Sequence, residues 1–104
     1  MLTLNEFIER DLKDLLKLFN KKQAQYAKDY DSLQDFRTGA KLQFGGDSNN
    51  QMFETLKGYM NKHVAFVYNN AVYADKLDES LGDMALYCII AKYFKYMEDG
   101  QDVH

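Results

Sequence analysis

The sequence predicts an all-α chain: a compact helical bundle of three longer helices plus one short helix, in a single domain covering residues 1–104. Three observations carry this. Apolar residues recur at intervals of three and four along most of the chain, the spacing of one helix face. The 104 residues contain no proline, so nothing forces a break inside the long periodic segments. No stretch shows an apolar–polar alternation that competes with these helical patterns.

Taken in order, Thr3-Leu4-Asn5-Glu6 has the capping-box pattern, with Thr3 as N-cap and Glu6 returning to its backbone. Leu4, Phe7, Ile8, Leu12, Leu15, Phe19 and Tyr26 then give a first helix to about Ala27, with Arg10, Lys13, Lys17 and Lys21 on a solvated face. A turn-prone Asp29-Tyr30-Asp31-Ser32 precedes a short helix of about ten residues, in which Leu33, Phe36 and Ala40 face inward. Residues 44–50, FGGDSNN, form the clearest loop. Gly39, Gly45, Gly46 and Gly100 are all expected in or near turns.

A third helix is expected from about Gln51 to Asn69, with Phe53, Leu56, Met60, Val64 and Val67 on its apolar face. The last helix, from about Lys76 to Glu98, takes Asp75 as its N-cap and Gly100 as its stop. Cys88, inside the apolar run MALYCIIA, reads as a small core residue in a reducing, cytoplasmic setting.

Composition narrows the function classes. A net charge of −3 argues against a duplex-DNA binder, which carries a basic face. The longest apolar run, Met84 to Ala91, is far short of the roughly 20 residues of a membrane span. Charge from Glu6 onward interrupts any signal-peptide pattern at the N-terminus. A chain this short leaves apolar surface near the outside, and self-association is the expectation that follows.

The residues that could carry chemistry are few. Glu79 and Asp83 lie four apart, on one face of the last helix, with Tyr87 one turn further on. Paired carboxylates suit Mg²⁺, which takes one or two of them together with water and phosphate oxygens; acids in the first turns of a helix are equally explained by its dipole. Lys62-His63 in the third helix offers a cation and an imidazole to a phosphate, or a packing histidine. The chain has 8 tyrosines and 7 phenylalanines, and as a group they suit a flat organic ligand or a subunit interface. Signatures of nucleophilic catalysis, a Walker loop and a dinucleotide fingerprint are absent.

The run from Lys22 to Arg37, KQAQYAKDYDSLQDFR, resembles the KNxDYxxDDDxxxNFR pattern of the nucleotide modification associated domain of phages and bacteria. That domain is a relative of the MazG-like all-α nucleotide pyrophosphohydrolases. Glu79 to Tyr87, ESLGDMALY, is similar to its DTLxDLANY motif, and Met60-Asn61-Lys62-His63 stands where the family has M-x-K-H or M-D-K. The likeness spans Phe19 to Phe94. Gln25 replaces the aspartate of the family's DY, and Leu86 replaces the asparagine before the tyrosine.

The resemblance implies a nucleotide pocket between helices, in an oligomer. MazG-like enzymes hold Mg²⁺ with an ExxE pair on one helix and an acidic pair on the next. Here the helix before the last has Glu54, but Lys57 stands where its second acid would be, and Glu6 and Glu9 have the spacing only in the first helix. Three expectations follow. The leading one is a nucleotide-binding protein without catalysis, a phage-type sequestering or anti-defence protein. In it Arg37, Lys62 and His63 hold phosphate, and Tyr26, Tyr30 and Tyr87 pack on a base. The second is a Mg²⁺-dependent pyrophosphohydrolase with metal on Glu79 and Asp83. The third is a helical interaction protein.

Overall fold

The structure, a computed structural model, describes residues 1–24 and 33–101. It is all-α: α1 (Leu4–Ala24), α2 (Gln34–Phe44), α3 (Asn49–Tyr68) and α4 (Leu77–Gln101), with no strand among the described residues. The three longer helices and the short one appear in the expected order. The chain divides into two units, Met1–Ser32 and Leu33–His104. Tyr26, Tyr30 and the expected end of the first helix at Ala27 lie outside the described residues.

The first unit is α1. Its start is the capping box read from the sequence: the Thr3 N–H donates to Glu6 Oε1 at 3.0 Å, and the Glu6 N–H donates to Thr3 Oγ1 at 3.2 Å. The Thr3 backbone N–H first, and then the Thr3 side chain, hold the Glu6 carboxyl below its ordinary range. The apolar stripe at Leu4, Ile8, Leu12 and Leu16 is exposed, and the Arg10 guanidinium lies over the Phe7 ring at 5.0 Å.

In the second unit α3 is the middle helix, packed by α2 and by α4. The core holds Leu33, Phe36 and Ala40 from α2 and its entry, Met52 and Leu56 from α3, and Phe94 from α4. Leu33, Phe36 and Ala40 therefore face inward as expected. Phe36 reaches across to α4, where its ring meets Tyr87 at 6.4 Å and Phe94 at 5.7 Å; it also meets Tyr59 of α3 at 5.7 Å. These edge-on and tilted arrangements suit the aromatic quadrupole.

The link between α2 and α3 is shorter than the expected loop. Phe44 ends α2, and Asn49 and Asn50 already belong to α3. Ser48 and Gln51 form a second capping box: the Gln51 N–H donates to Ser48 Oγ at 3.2 Å and the Ser48 N–H donates to Gln51 Oε1 at 3.0 Å. Gln51 Nε2 also donates to the Phe44 carbonyl at 3.4 Å. One side chain thus serves the end of one helix and the start of the next.

Gly45 closes α2 at φ 80°, with its N–H on the Lys41 carbonyl at 3.0 Å. A Cβ there would meet nothing within 4 Å, so substitution costs backbone strain alone. Gly45→Ala is expected to lower unfolding free energy by about 1 kcal/mol in urea titration, because an L side chain disfavours the left-handed region. An unchanged midpoint would show that the turn accepts alanine without strain.

Four expectations are corrected. Gly39 lies inside α2, not at a turn. Its missing side chain lets Tyr59 and Thr55 of α3 come against the α2 backbone. Gly100 does not stop α4, which runs on to Gln101. The N-cap is not Asp75: the Lys76 carbonyl takes the first helical bond, from Ser80 at 3.2 Å. The Leu77 N–H donates to the Ala74 carbonyl at 3.4 Å, and Lys76 takes φ 66° as the third residue of that turn. Cys88 is exposed. Tyr87, Ile90, Ala91, Phe94 and Met97 form the inward face of α4, and Cys88 falls off it.

Candidate functional site

Two distant segments supply residues that meet between α3 and α4. His63 Nε2 lies 3.5 Å from Asp83 Oδ2, with side-chain exposures of 14% and 24%. The contact becomes an ion pair when the imidazole carries both protons. The His63 ring sits 6.0 Å from that of Tyr87, inclined by 40°. Tyr87 in turn rests edge-on against Phe36. An imidazole, a carboxylate and a phenol therefore stand together beside the aromatic core.

The inward face of α3 explains how His63 comes to be there. Met52, Thr55 and Leu56 are buried, and Tyr59 packs against the core; His63 continues that row one turn on. The expected apolar face is rotated from the one used: Phe53 and Val64 are exposed. Polar members of the inward row are satisfied. Thr55 Oγ1 donates to the Gln51 carbonyl at 3.0 Å, and the Tyr59 hydroxyl donates to the Asp35 carbonyl at 3.1 Å.

The remaining predicted residues are placed less centrally. Lys62 and Glu79 are exposed, while Arg37 is half-buried in the first turn of α2, next to Phe36. Tyr68 and Tyr73 are almost fully exposed. Glu79 and Asp83 lie one turn apart on α4, as their spacing requires. Across from Asp83, α3 brings the imidazole of His63 instead of a carboxylate. Among the described residues no three His, Cys, Asp or Glu side chains gather as a metal-binding group. These donors do not by themselves make a Mg²⁺ cage.

Tyr87 has an environment that the structure defines well. Burial first, then the Asp83 charge, and then Tyr59 and Asp35 push its phenol above the ordinary tyrosine value. The neutral phenol is thus favoured in the folded state. The resulting stability is complete below the unfolded value of about pH 10 and is lost as pH rises through the higher folded value. Tyr87→Phe, which keeps the ring, is expected to lose less stability between neutral and alkaline pH than the parent, as read by thermal melts. Equal alkaline losses in the two proteins would rule out Tyr87 as the source.

A second feature was not legible in the sequence. An open groove of about 630 Å³ runs between the start of α3 and the end of α4, lined by Asn49, Phe53, Ala91, Phe94 and Lys95 among others. Asn49 Nδ2 donates to Glu98 Oε2 across it at 3.0 Å. None of the sequence-predicted site residues lines it. Its only signal was the pairing of Phe53 with Ala91 and Phe94, which needs the antiparallel register of two helices to be seen.

These features define an all-α protein with a polar trio beside an aromatic core. Comparison with protein-family models, curated proteins and solved structures finds no match. No helix among the described residues is long and apolar enough to cross a membrane.

Proposed function

We propose that this protein binds a nucleotide or nucleotide-derived signal and holds it without turnover, as a sequestering protein of the phage type. The observation that supports this most is the His63–Asp83–Tyr87 grouping, in which residues meet from two separate stretches that resemble motifs of the nucleotide modification associated domain. In this reading Lys62 and His63 hold phosphate, Arg37 adds charge from α2, and Tyr87 offers a ring edge to a base. Tyr26 and Tyr30, outside the described residues, keep the base-packing role inferred from the resemblance.

Binding is favoured over hydrolysis because Asp83 faces an imidazole and α3 supplies no second carboxylate there. Mg²⁺ enters only in the alternative, in which Glu79 and Asp83 hold it against nucleotide phosphates.

The test is calorimetry with nucleoside triphosphates, cyclic nucleotides and ADP-ribose derivatives, with and without Mg²⁺, followed by chromatography of the recovered ligand. Metal-independent binding of a ligand recovered intact, weakened in Lys62→Ala, is the expected result. Pyrophosphate release that disappears in Glu79→Gln or Asp83→Asn would overturn sequestration in favour of the hydrolase. No binding across the panel would leave a helical interaction protein.

A further inference from the structure

The face of α4 turned away from the core takes no part in the His63–Asp83–Tyr87 grouping, and of its residues Lys92 also lines the groove beside α3. This face carries Asp78, Leu81, Ala85, Cys88 and Lys92, which follow one another at intervals of three, four, three and four. That is the spacing of a helix-pairing seam. Leu81 is 43% exposed and Ile89, on its flank, 51%; Cys88 is exposed too. Small side chains occupy the middle of the seam, at Ala85 and Cys88, and opposite charges occupy its ends, at Asp78 and Lys92.

Asp78 and Lys92 are fourteen residues apart, about 21 Å along a helix at 1.5 Å per residue, too far to pair within one copy. A two-fold axis at Ala85, the middle of the seam, brings them together. It lays the Asp78 end of one α4 over the Lys92 end of another, twice, and sets small residues where the helices cross. A parallel arrangement would put like charges side by side.

We infer that this face is a self-complementary surface for a second copy of the chain, through antiparallel pairing of α4 with α4. Leu81 and Ile89 supply the apolar contact on either side of the crossing, and the two Asp78–Lys92 pairs set direction and register. The core face of α4, at Tyr87, Ile90 and Phe94, stays committed to α2 and α3. Pairing through the outer face therefore leaves the core of the second unit intact.

Sedimentation of the whole chain across a concentration series tests this, with circular dichroism to confirm that each variant keeps its helices. The parent is expected to dimerise. Lys92→Glu is expected to raise the dimer dissociation constant by about tenfold, because it places like charges at both ends of the seam. The double variant Asp78→Lys with Lys92→Glu is expected to restore most of the loss, since it reverses both partners.

Alkylation of Cys88 should be slow in the dimer and faster in Lys92→Glu at the same concentration. A parent that is monomeric throughout overturns the inference, as does a dimer indifferent to Lys92→Glu or not restored by the double variant. So does a dimer abolished by Leu12→Glu with Cys88 alkylated at the monomer's rate, which would put the contact on the exposed stripe of α1.

Discussion

Phe36→Ala is expected to remove about 3–5 kcal/mol of stability, enough to leave this chain unfolded or without a cooperative melt at ordinary temperature. The reasoning starts from position. Phe36 is 6% exposed, and its ring touches Tyr59 on α3 and both Tyr87 and Phe94 on α4. The α2 and α4 backbones do not approach each other, so the side chain itself spans the gap. Truncation loses the burial of a large ring and leaves a void that three other rings cannot all move to fill.

Whole small domains are stable by only about 5–15 kcal/mol, so the loss is a large fraction of the total. Phe36→Leu, which keeps apolar volume at the same place, should cost distinctly less. Guanidinium unfolding of both variants measures the difference. A Phe36→Ala midpoint within about 1 kcal/mol of the parent, the scale of an ordinary surface change, would falsify the central role assigned to this ring. The same substitution takes away the surface on which Tyr87 rests, so any binding at the His63–Asp83–Tyr87 grouping should fall with it.

How much of this was legible depends on the kind of signal. Local chemistry read well: the Thr3–Glu6 box and the inward set Leu33, Phe36 and Ala40 depend on near neighbours and helical spacing alone. The Ser48–Gln51 box was equally local, but it stood hidden inside a run of glycine, aspartate and asparagine that reads as a loop. The face of α3 did not read, because its buried row includes Thr55, Tyr59 and His63. Each of those finds a partner, the Gln51 carbonyl, the Asp35 carbonyl and Asp83, and a pattern of apolar and polar letters cannot show that a polar group is satisfied.

Periodicity also failed along α4, which is apolar on more than one face. Cys88 there looked central and is exposed, while the inward row begins one residue earlier at Tyr87. The candidate site was legible as residues and not as an arrangement. His63 stands out beside Lys62, and Asp83 and Tyr87 by their helical spacing, but that Asp83 turns to the imidazole, and not to a second carboxylate, depends on the register of α3 against α4. That register is a tertiary fact.

Gly39 is where the largest mistake of the sequence reading becomes the second large expected effect. By propensity alone, Gly39→Ala inside α2 should stabilise the chain by about 1 kcal/mol. The structure reverses the sign. A Cβ at this position would lie 2.8 Å from Thr55 Cγ2 and closer still to the Tyr59 hydroxyl. Neither neighbour yields readily: Thr55 is fully buried and Tyr59 is tied to the Asp35 carbonyl at 3.1 Å. Overpacking of this kind costs about 1–3 kcal/mol, so net destabilisation is expected despite the better helix former.

A double-mutant cycle isolates the cause. Tyr59→Phe removes the hydroxyl that lies closest. It should cost little alone, because α-helical bonding already gives the Asp35 carbonyl to the Gly39 N–H. Gly39→Ala should then be less damaging in the Tyr59→Phe background than in the parent, with a coupling of about 1 kcal/mol or more. Strict additivity would mean that the α2–α3 approach is not set by this contact. If the coupling appears, glycine at 39 is there for the distance between two helices, and the seat of Tyr59 beneath Phe36 and Tyr87 depends on it.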